Sequence, residues 1–187
     1  MSALFLSLVA AFLATTGARD QAVVARQSSA LGPHPGLLAT AVLVACGGAA
    51  LAVLSGVWIA QLLPAPAKAM LVAIALLLSA VEIAWPRPVT PVPREPTRSL
   101  GAVALVLTGQ ALTDATRFLI LAFAVAVSPA LLVGIGGALG SSAALAAGWA
   151  FGEALSEHRL MRPLRVGIAL VLAIVGVIVG LGVRGMV

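Results

Sequence analysis

Polar and ionisable side chains interrupt an apolar stretch of the chain that runs from residue 100 to 127. The interrupting residues are Gln110, Thr113, Asp114, Thr116 and Arg117. A helix across this stretch would hold Asp114 and Arg117 near its middle. A charged residue at the centre of a membrane-spanning helix costs about 2.5 to 3.5 kcal/mol to insert, and it usually faces a bundle interior or a wet cavity. We therefore interpret these residues as a candidate functional site.

Asp114 and Arg117 also allow a purely structural interpretation. Residues three apart share one face of a helix, so the two side chains could neutralise each other as an ion pair that holds helices together. In that case the pair would carry no substrate.

A second polar interruption follows the first apolar stretch, at Arg19, Asp20 and Gln21. The apolar part before it ends at Ala18, so these residues mark either the membrane interface or a break within the first span. If they mark the interface, residues 27–35 form a loop. The proline-containing sequence from Gly32 to Pro35 ends the helix in either case.

Composition identifies the class of protein. The 187 residues are 61% hydrophobic and 9% charged, and the mean hydropathy is +1.15. These values lie far outside the range of soluble domains, and several apolar runs of about 18 residues or more are typical of transmembrane helices. We predict an all-α integral membrane protein whose partner is the lipid bilayer. The net charge of +5 comes mostly from the joins between helices, so we predict no nucleic-acid binding.

Six helices are predicted, at about 2–26, 37–63, 67–85, 100–128, 130–155 and 164–183. A linker rich in proline and arginine, residues 87–98, separates a first three-helix unit (1–86) from a second (99–187). Glu82 lies near the exit of the third helix, where an acid is usually solvated. A polar join that includes Glu153, Arg162 and Arg165 precedes the sixth helix.

Small residues recur every four positions in the second helix of each unit, where they allow a neighbouring backbone to approach closely. They are Gly48, Ala52, Gly56 and Ala60 in the first unit, and Gly136, Gly140, Ala144, Gly148 and Gly152 in the second.

Basic residues in the joins predict the orientation. Seven arginines follow helices one, three and five, against Lys68 and Arg184 on the other side. The positive-inside rule places the seven in the cytoplasm and both termini outside. Ten arginines and one lysine suggest a high-GC bacterial genome, which would place the protein in the inner membrane.

The two units have matching features, and three is an odd number of spans, so the second unit must enter the membrane from the opposite side. This predicts an inverted repeat, the architecture typical of secondary transporters, with a site at mid-depth where the two polar interruptions face each other. The polar motifs indicate an offset of 96 residues between the units, whereas the Pro-x-Leu-Leu helix starts at Pro35 and Pro129 indicate 94.

At these residues the sequence resembles the GDT-type cation/proton antiporters, a family linked to calcium and manganese. That family has two three-helix halves, and the first helix of each bears a Glu-x-Gly-Asp-Lys/Arg-Thr/Ser motif, often followed by Gln. The first copy here retains Gly17, Arg19 and Gln21, and the second retains Asp114 and Thr116. Residues 152–157, at the end of the fifth helix, are also similar to the family's pattern.

The resemblance implies proton-coupled antiport of a divalent cation, with Asp114 and Asp20 as metal ligands. Intact family motifs carry a formal charge of −2, whereas Asp20, Asp114, Arg19 and Arg117 here sum to zero. Affinity for a hard divalent cation depends on the number of carboxylates, so this difference argues against tight binding. Two other functions stay open: a degenerate protein of this fold without transport, and an exporter of a small organic solute, since an arginine beside an aspartate suits a zwitterion.

The sequence predicts neither an enzyme nor a bound cofactor, because we find no nucleophile with a base, zinc-ligand spacing or phosphate loop. The single cysteine, Cys46, lies in an apolar run, and His34 and His158 are far apart in separate joins.

Overall fold

The computed structural model describes residues 2–85, 99–152, 154 and 161–183, and these residues form helices joined by short connections. In chain order the helices are α1 (Ser2–Thr15), α2 (Arg19–Leu31), α3 (Pro35–Leu62), α4 (Ala65–Ala84), α5 (Leu100–Ala111), α6 (Ala115–Ala126), α7 (Ala130–Phe151) and α8 (Met161–Val183). The described part of the chain contains no strand, in agreement with the predicted all-α class. The predicted linker 87–98 and most of the join before α8 lie outside the described residues.

Four helices, α3, α4, α7 and α8, are each long and apolar enough to cross a membrane. The pairs α1–α2 and α5–α6 also qualify when each is taken as one bent span, so the described residues provide up to six spans. The membrane class predicted from composition is thus supported by helix length as well as by hydropathy.

The first span of each unit is broken where the polar interruptions lie. The chain bends by 61° between α1 and α2 and by 55° between α5 and α6. Thr15 and Ala111 end the first parts, and Arg19 and Ala115 begin the second parts, so both borders lie 96 residues apart. This spacing equals the offset between the polar motifs. We name residues 16–18 break one and residues 112–114 break two.

The α5–α6 span is therefore not one continuous helix with Asp114 in its middle. Asp114 occupies the N-cap position of α6 with an extended backbone, and Arg117 lies in the first turn of that helix. The two side chains do not share a helix face, because only Arg117 has helical geometry.

Small residues allow helices of the two units to pack closely against each other. A Cβ atom added at Gly136 or Gly140 of α7 would collide with the α1 backbone at Leu4 or Leu8. A Cβ atom added at Gly56 of α3 would similarly meet the carbonyl group of Leu121 in α6. Thus α7 of the second unit packs on α1 and α2, and α3 of the first unit packs on α5 and α6.

The remaining packing differs from the sequence prediction at two joins. Residues 27–31 continue α2 instead of forming a loop, because Ser28 Oγ donates a 2.5 Å hydrogen bond to the carbonyl oxygen of Trp149 and fixes this turn against α7. Helix α8 begins at Met161, three residues before the predicted start at about 164, so Arg162 of the predicted polar join belongs to the helix along with Arg165. Helix α8 packs along α4, and α4 in turn packs on α6.

Candidate functional site

The two breaks lie beside each other inside the bundle. Thr15, the last residue of α1, and Thr116, in the first turn of α6, are both fully buried. Their hydroxyl oxygens are 2.9 Å apart and share a hydrogen bond, although the residues are 101 positions apart in sequence. This contact joins the end of the first half-helix of one span to the start of the second half-helix of the other.

A small cavity opens at this junction, and we name it the acidic cavity. It is lined by Arg19, Asp20, Glu82, Gln110, Thr113 and Asp114. The space open to the centre of a water-sized sphere is about 10 Å³, roughly what one water molecule or one ion requires. Five of these six residues were predicted from the polar interruptions, and the fold brings them together from two separate spans.

Glu82 is the sixth residue, and the prediction that it is simply solvated is wrong. It lies near the end of α4, half buried, and its Oε2 accepts a hydrogen bond from the Ala115 backbone N–H at 3.1 Å. Glu82 thereby caps the N-terminus of α6, where unpaired N–H groups and the helix dipole favour a negative charge. The signal in the sequence was an acid within an apolar helix, but its partner lies 33 residues away.

Asp114 lies beside this cap without acting as one. An aspartate at an N-cap usually accepts hydrogen bonds from the next backbone amides, yet Asp114 makes no side-chain capping bond. Among the residues that the structure describes, its buried Oδ2 has no hydrogen-bond partner, and neither has the buried Oε1 of Gln110. Two buried oxygen acceptors without donors therefore line the acidic cavity, an arrangement that suits a bound proton or cation.

Asp20 and Gln21 lie inside the bundle and not at its edge. Both are buried, and Gln21 Nε2 donates a 2.6 Å hydrogen bond to the carbonyl oxygen of Ala144 in α7. Asp20 Oδ1 accepts a 2.8 Å hydrogen bond from the Gln21 backbone N–H, in the first turn of α2, while Arg19 is exposed. Asp20 and Gln21 are therefore packed among the helices, whereas Arg19 is not.

Gln21 and Arg165 hold break one in shape and do not line the acidic cavity. Gln21 Oε1 accepts a 2.6 Å hydrogen bond from the Gly17 N–H, and Arg165 Nη1, from α8, donates a 2.9 Å bond to the Thr16 carbonyl oxygen. Arg165 is 8% exposed. Its role was missed because the sequence places it in a cluster of arginines that the positive-inside rule already explains.

Arg117 does not line the acidic cavity, although its charge still interacts electrostatically with that of Asp114. Its side chain lies against Gly48 of α3 and lines a different cavity between α3, α5 and α6. Within the described ranges, its buried Nε and Nη1 have no hydrogen-bond partner. Arg117 and Asp114 thus attract each other electrostatically, but Asp114 Oδ2 and Arg117 Nε and Nη1 make no hydrogen bond.

No group of three or more His, Cys, Asp or Glu side chains in the described residues is close enough together to hold a metal ion. Asp20, Glu82 and Asp114 line one cavity, but this arrangement is too wide to be a formed metal site.

Comparison of the chain with models of protein families, with curated proteins and with solved structures found no match.

Proposed function

We propose that the protein is a secondary transporter that exchanges protons for a small cation, of the manganese or calcium type, through the acidic cavity. The observation that carries this proposal is the convergence of Asp20, Glu82 and Asp114, from three separate elements, on one small cavity at two broken spans. Acids in the interior of a membrane protein are costly, and such residues commonly mark ion or proton pathways.

The architecture supports alternating access as the mechanism. Both breaks have the same spacing in the two units, and α3 packs on the broken span of the second unit as α7 packs on that of the first. We interpret this as an inverted repeat, in which one unit rocks against the other around a site at mid-depth. Two half-helices that end at such a site can move relative to each other, because no hydrogen bonds of a continuous helix have to break between them.

The net charge of the residues that line the cavity is more negative than the net charge of the sequence motifs, and it therefore suits a cation better. Arg117 lines another cavity, and Glu82 joins the acids, so the six lining residues carry a formal charge of −2 when ionised. Glu82, Asp20 and Asp114 offer carboxylate oxygens, and Gln110 and Thr113 offer neutral oxygens. These are the ligand types that calcium and manganese prefer.

Metal binding requires the carboxylates to move closer together than they are in this conformation. In the proposed cycle, the rocking that closes the cavity on one side brings them together around the ion, and reopening on the other side separates them again. Protons then replace the ion on Asp114 and Glu82, which couples the two fluxes.

The geometry of the site supports the transporter better than the two alternatives from the sequence. The non-transporting alternative relies on an ion pair between Asp114 and Arg117, whose charges interact although the side chains line different cavities. Exchanging the two charges tests it: restored folding with no flux would favour that alternative. The acidic cavity has room for one ion or water molecule, which is too small for an organic zwitterion.

The experiment is a flux assay in proteoliposomes that contain a pH-sensitive dye, with Mn²⁺ or Ca²⁺ added outside. We expect each ion gradient to drive proton movement in the unchanged protein. Glu82→Gln should abolish this coupling while retaining an oxygen that can accept the Ala115 amide bond, so its fold should persist. Glu95→Gln, in the predicted linker, is the matched control and should behave like the unchanged protein. Proton movement that is independent of both ions, or equal in Glu82→Gln, would refute the proposal.

A further inference from the structure

A second cavity lies between α3, α5 and α6, and we name it the arginine groove. Its volume is about 480 Å³, which is within the range of about 300 to 1,000 Å³ typical of sites for small organic ligands. Apart from Arg117, its lining is largely apolar, and it includes Leu51, Ala111 and Phe118. It is therefore an apolar space that contains one permanent positive charge.

Arg117 is the charged group that faces this space. Its side chain is only 8% exposed, and its buried Nε and Nη1 find no acceptor in the described part of the chain. The Asp114 carboxylate attracts Arg117 electrostatically, but buried guanidinium N–H groups that lack acceptors remain unfavourable unless something bonds with them. Gly48 provides the room for the guanidinium group, because a Cβ atom there would lie 2.5 Å from Nε.

The groove opens to the outside of the bundle near the middle of α3. Leu43, Leu51 and Leu112 line it and are 72%, 60% and 71% exposed. Gly47 and Gly48 lie halfway along the 28 residues of α3, a helix longer than the roughly 20 residues that cross a bilayer. A ligand can therefore enter from the apolar part of the membrane.

Break two forms the wall between the two cavities. Ala111 and Leu112 face the arginine groove, whereas Gln110, Thr113 and Asp114 face the acidic cavity. The groove is thus a separate site, and an occupant there would not displace an ion from the acids.

We propose that the arginine groove binds an amphiphilic carboxylate, a molecule with one carboxylate group and an apolar chain, which enters from the lipid. The planar guanidinium fork matches a carboxylate, and both charges are stabilised when they pair away from water. The apolar walls suit the chain. A phospholipid is a poorer fit, because its two chains and bulky headgroup fill a cavity of about 480 Å³ less well than a single-chain carboxylate does.

Photo-crosslinking of the reconstituted protein tests this inference independently of transport. The probe is palmitic acid with a diazirine in its chain, compared with the corresponding alcohol and with a phosphatidylglycerol that carries the same chain. We expect the acid to label peptides within residues 43–55 and 108–121 about tenfold more than the alcohol does, because a charge-assisted hydrogen bond is lost with the alcohol.

Two variants test separately the charge of Arg117 and the open volume of the arginine groove. Arg117→Gln should reduce acid labelling to the level of the alcohol. Gly47→Leu keeps Arg117 but fills the groove, and it should fold normally, because a Cβ atom at Gly47 meets nothing within 4 Å. It should also abolish labelling. Gly182→Leu in α8 meets equally open space and is the control, with labelling unchanged.

Three results would overturn the inference: equal labelling by acid and alcohol, full labelling in folded Gly47→Leu, or labelling by the phospholipid probe alone. The last result would assign the groove to lipid headgroups. None of these results depends on whether the acids of the acidic cavity carry protons.

Discussion

The two breaks have the same position in their units, but they are built differently. Break one contains Gly17 with a φ of +69°, a left-handed backbone that favours glycine. Its polar backbone is bonded on both sides, by Gln21 to the Gly17 N–H and by Arg165 to the Thr16 carbonyl oxygen. Break one is therefore a turn whose backbone is held in place by hydrogen bonds.

Break two lacks a glycine, and its backbone needs no left-handed residue. Its acid, Asp114, takes the position that Ala18 has in break one, and it leaves a buried oxygen without a partner in the region described. Glu82, from another helix, caps α6 in its place. Break two therefore keeps polar groups available for a ligand.

This difference indicates that the breaks of the two similar units have different roles, one in stability and one in transport. Side chains that satisfy the backbone of a break stabilise the fold, and side chains left without partners are available for transport. Changes at break two should accordingly affect flux, and changes at break one should affect stability. Four predictions test this difference in roles.

The largest effect is expected from Asp114→Asn. The amide has the shape of the carboxylate but neither releases a proton nor contributes negative charge, so exchange in proteoliposomes should fall to the level of empty liposomes. Size-exclusion chromatography should show unchanged folding. Exchange at the unchanged rate would remove Asp114 from the mechanism and contradict the assignment of break two.

Arg165→Gln should have the largest effect on stability. It removes a charged donor to the buried Thr16 carbonyl oxygen, and such bonds contribute about 2 kcal/mol. The measurement is the free energy of unfolding in mixed micelles by circular dichroism. Exchange per folded molecule should persist. A variant as stable as the unchanged protein would show that break one does not need this bond.

Gly17→Ala should lower stability by about 1 kcal/mol, because an L side chain at a positive φ is strained and its Cβ atom would lie 3.1 Å from Arg165 Cδ. Thr113→Ala is the matched change at the equivalent, exposed position of break two, and it should alter stability by less than about 0.5 kcal/mol. Equal losses in the two variants would contradict the difference between the breaks.

The smallest effect is expected at the contact between the breaks. A double-mutant cycle with Thr15→Val and Thr116→Val measures the coupling of the two buried hydroxyl groups, and interhelical hydrogen bonds in membranes average about 0.6 kcal/mol. A coupling energy of zero would mean that the two breaks touch without stabilising each other.

Much of the fold could be predicted from local sequence. Long apolar runs predict spans, and prolines near residues 35, 64 and 129 mark helix borders, because proline lacks an amide hydrogen. The stripes with Gly56 and Gly140 predict close packing, since only small residues let two backbones approach. The candidate site was predictable in part, because five of its six lining residues interrupt apolar runs.

The sequence by itself determined most of the helical segments and the places where costly polar residues interrupt two of the apolar runs. These follow from hydropathy and backbone chemistry, which act between near neighbours. Only the tertiary structure decided that Glu82 joins the acids, that Arg117 faces a separate groove and that Arg165 reaches break one. These outcomes depend on the rotation of each helix about its axis and on contacts across separations such as the 149 residues between Arg165 and Thr16. Patterns among neighbouring residues in the sequence do not predict such distant contacts.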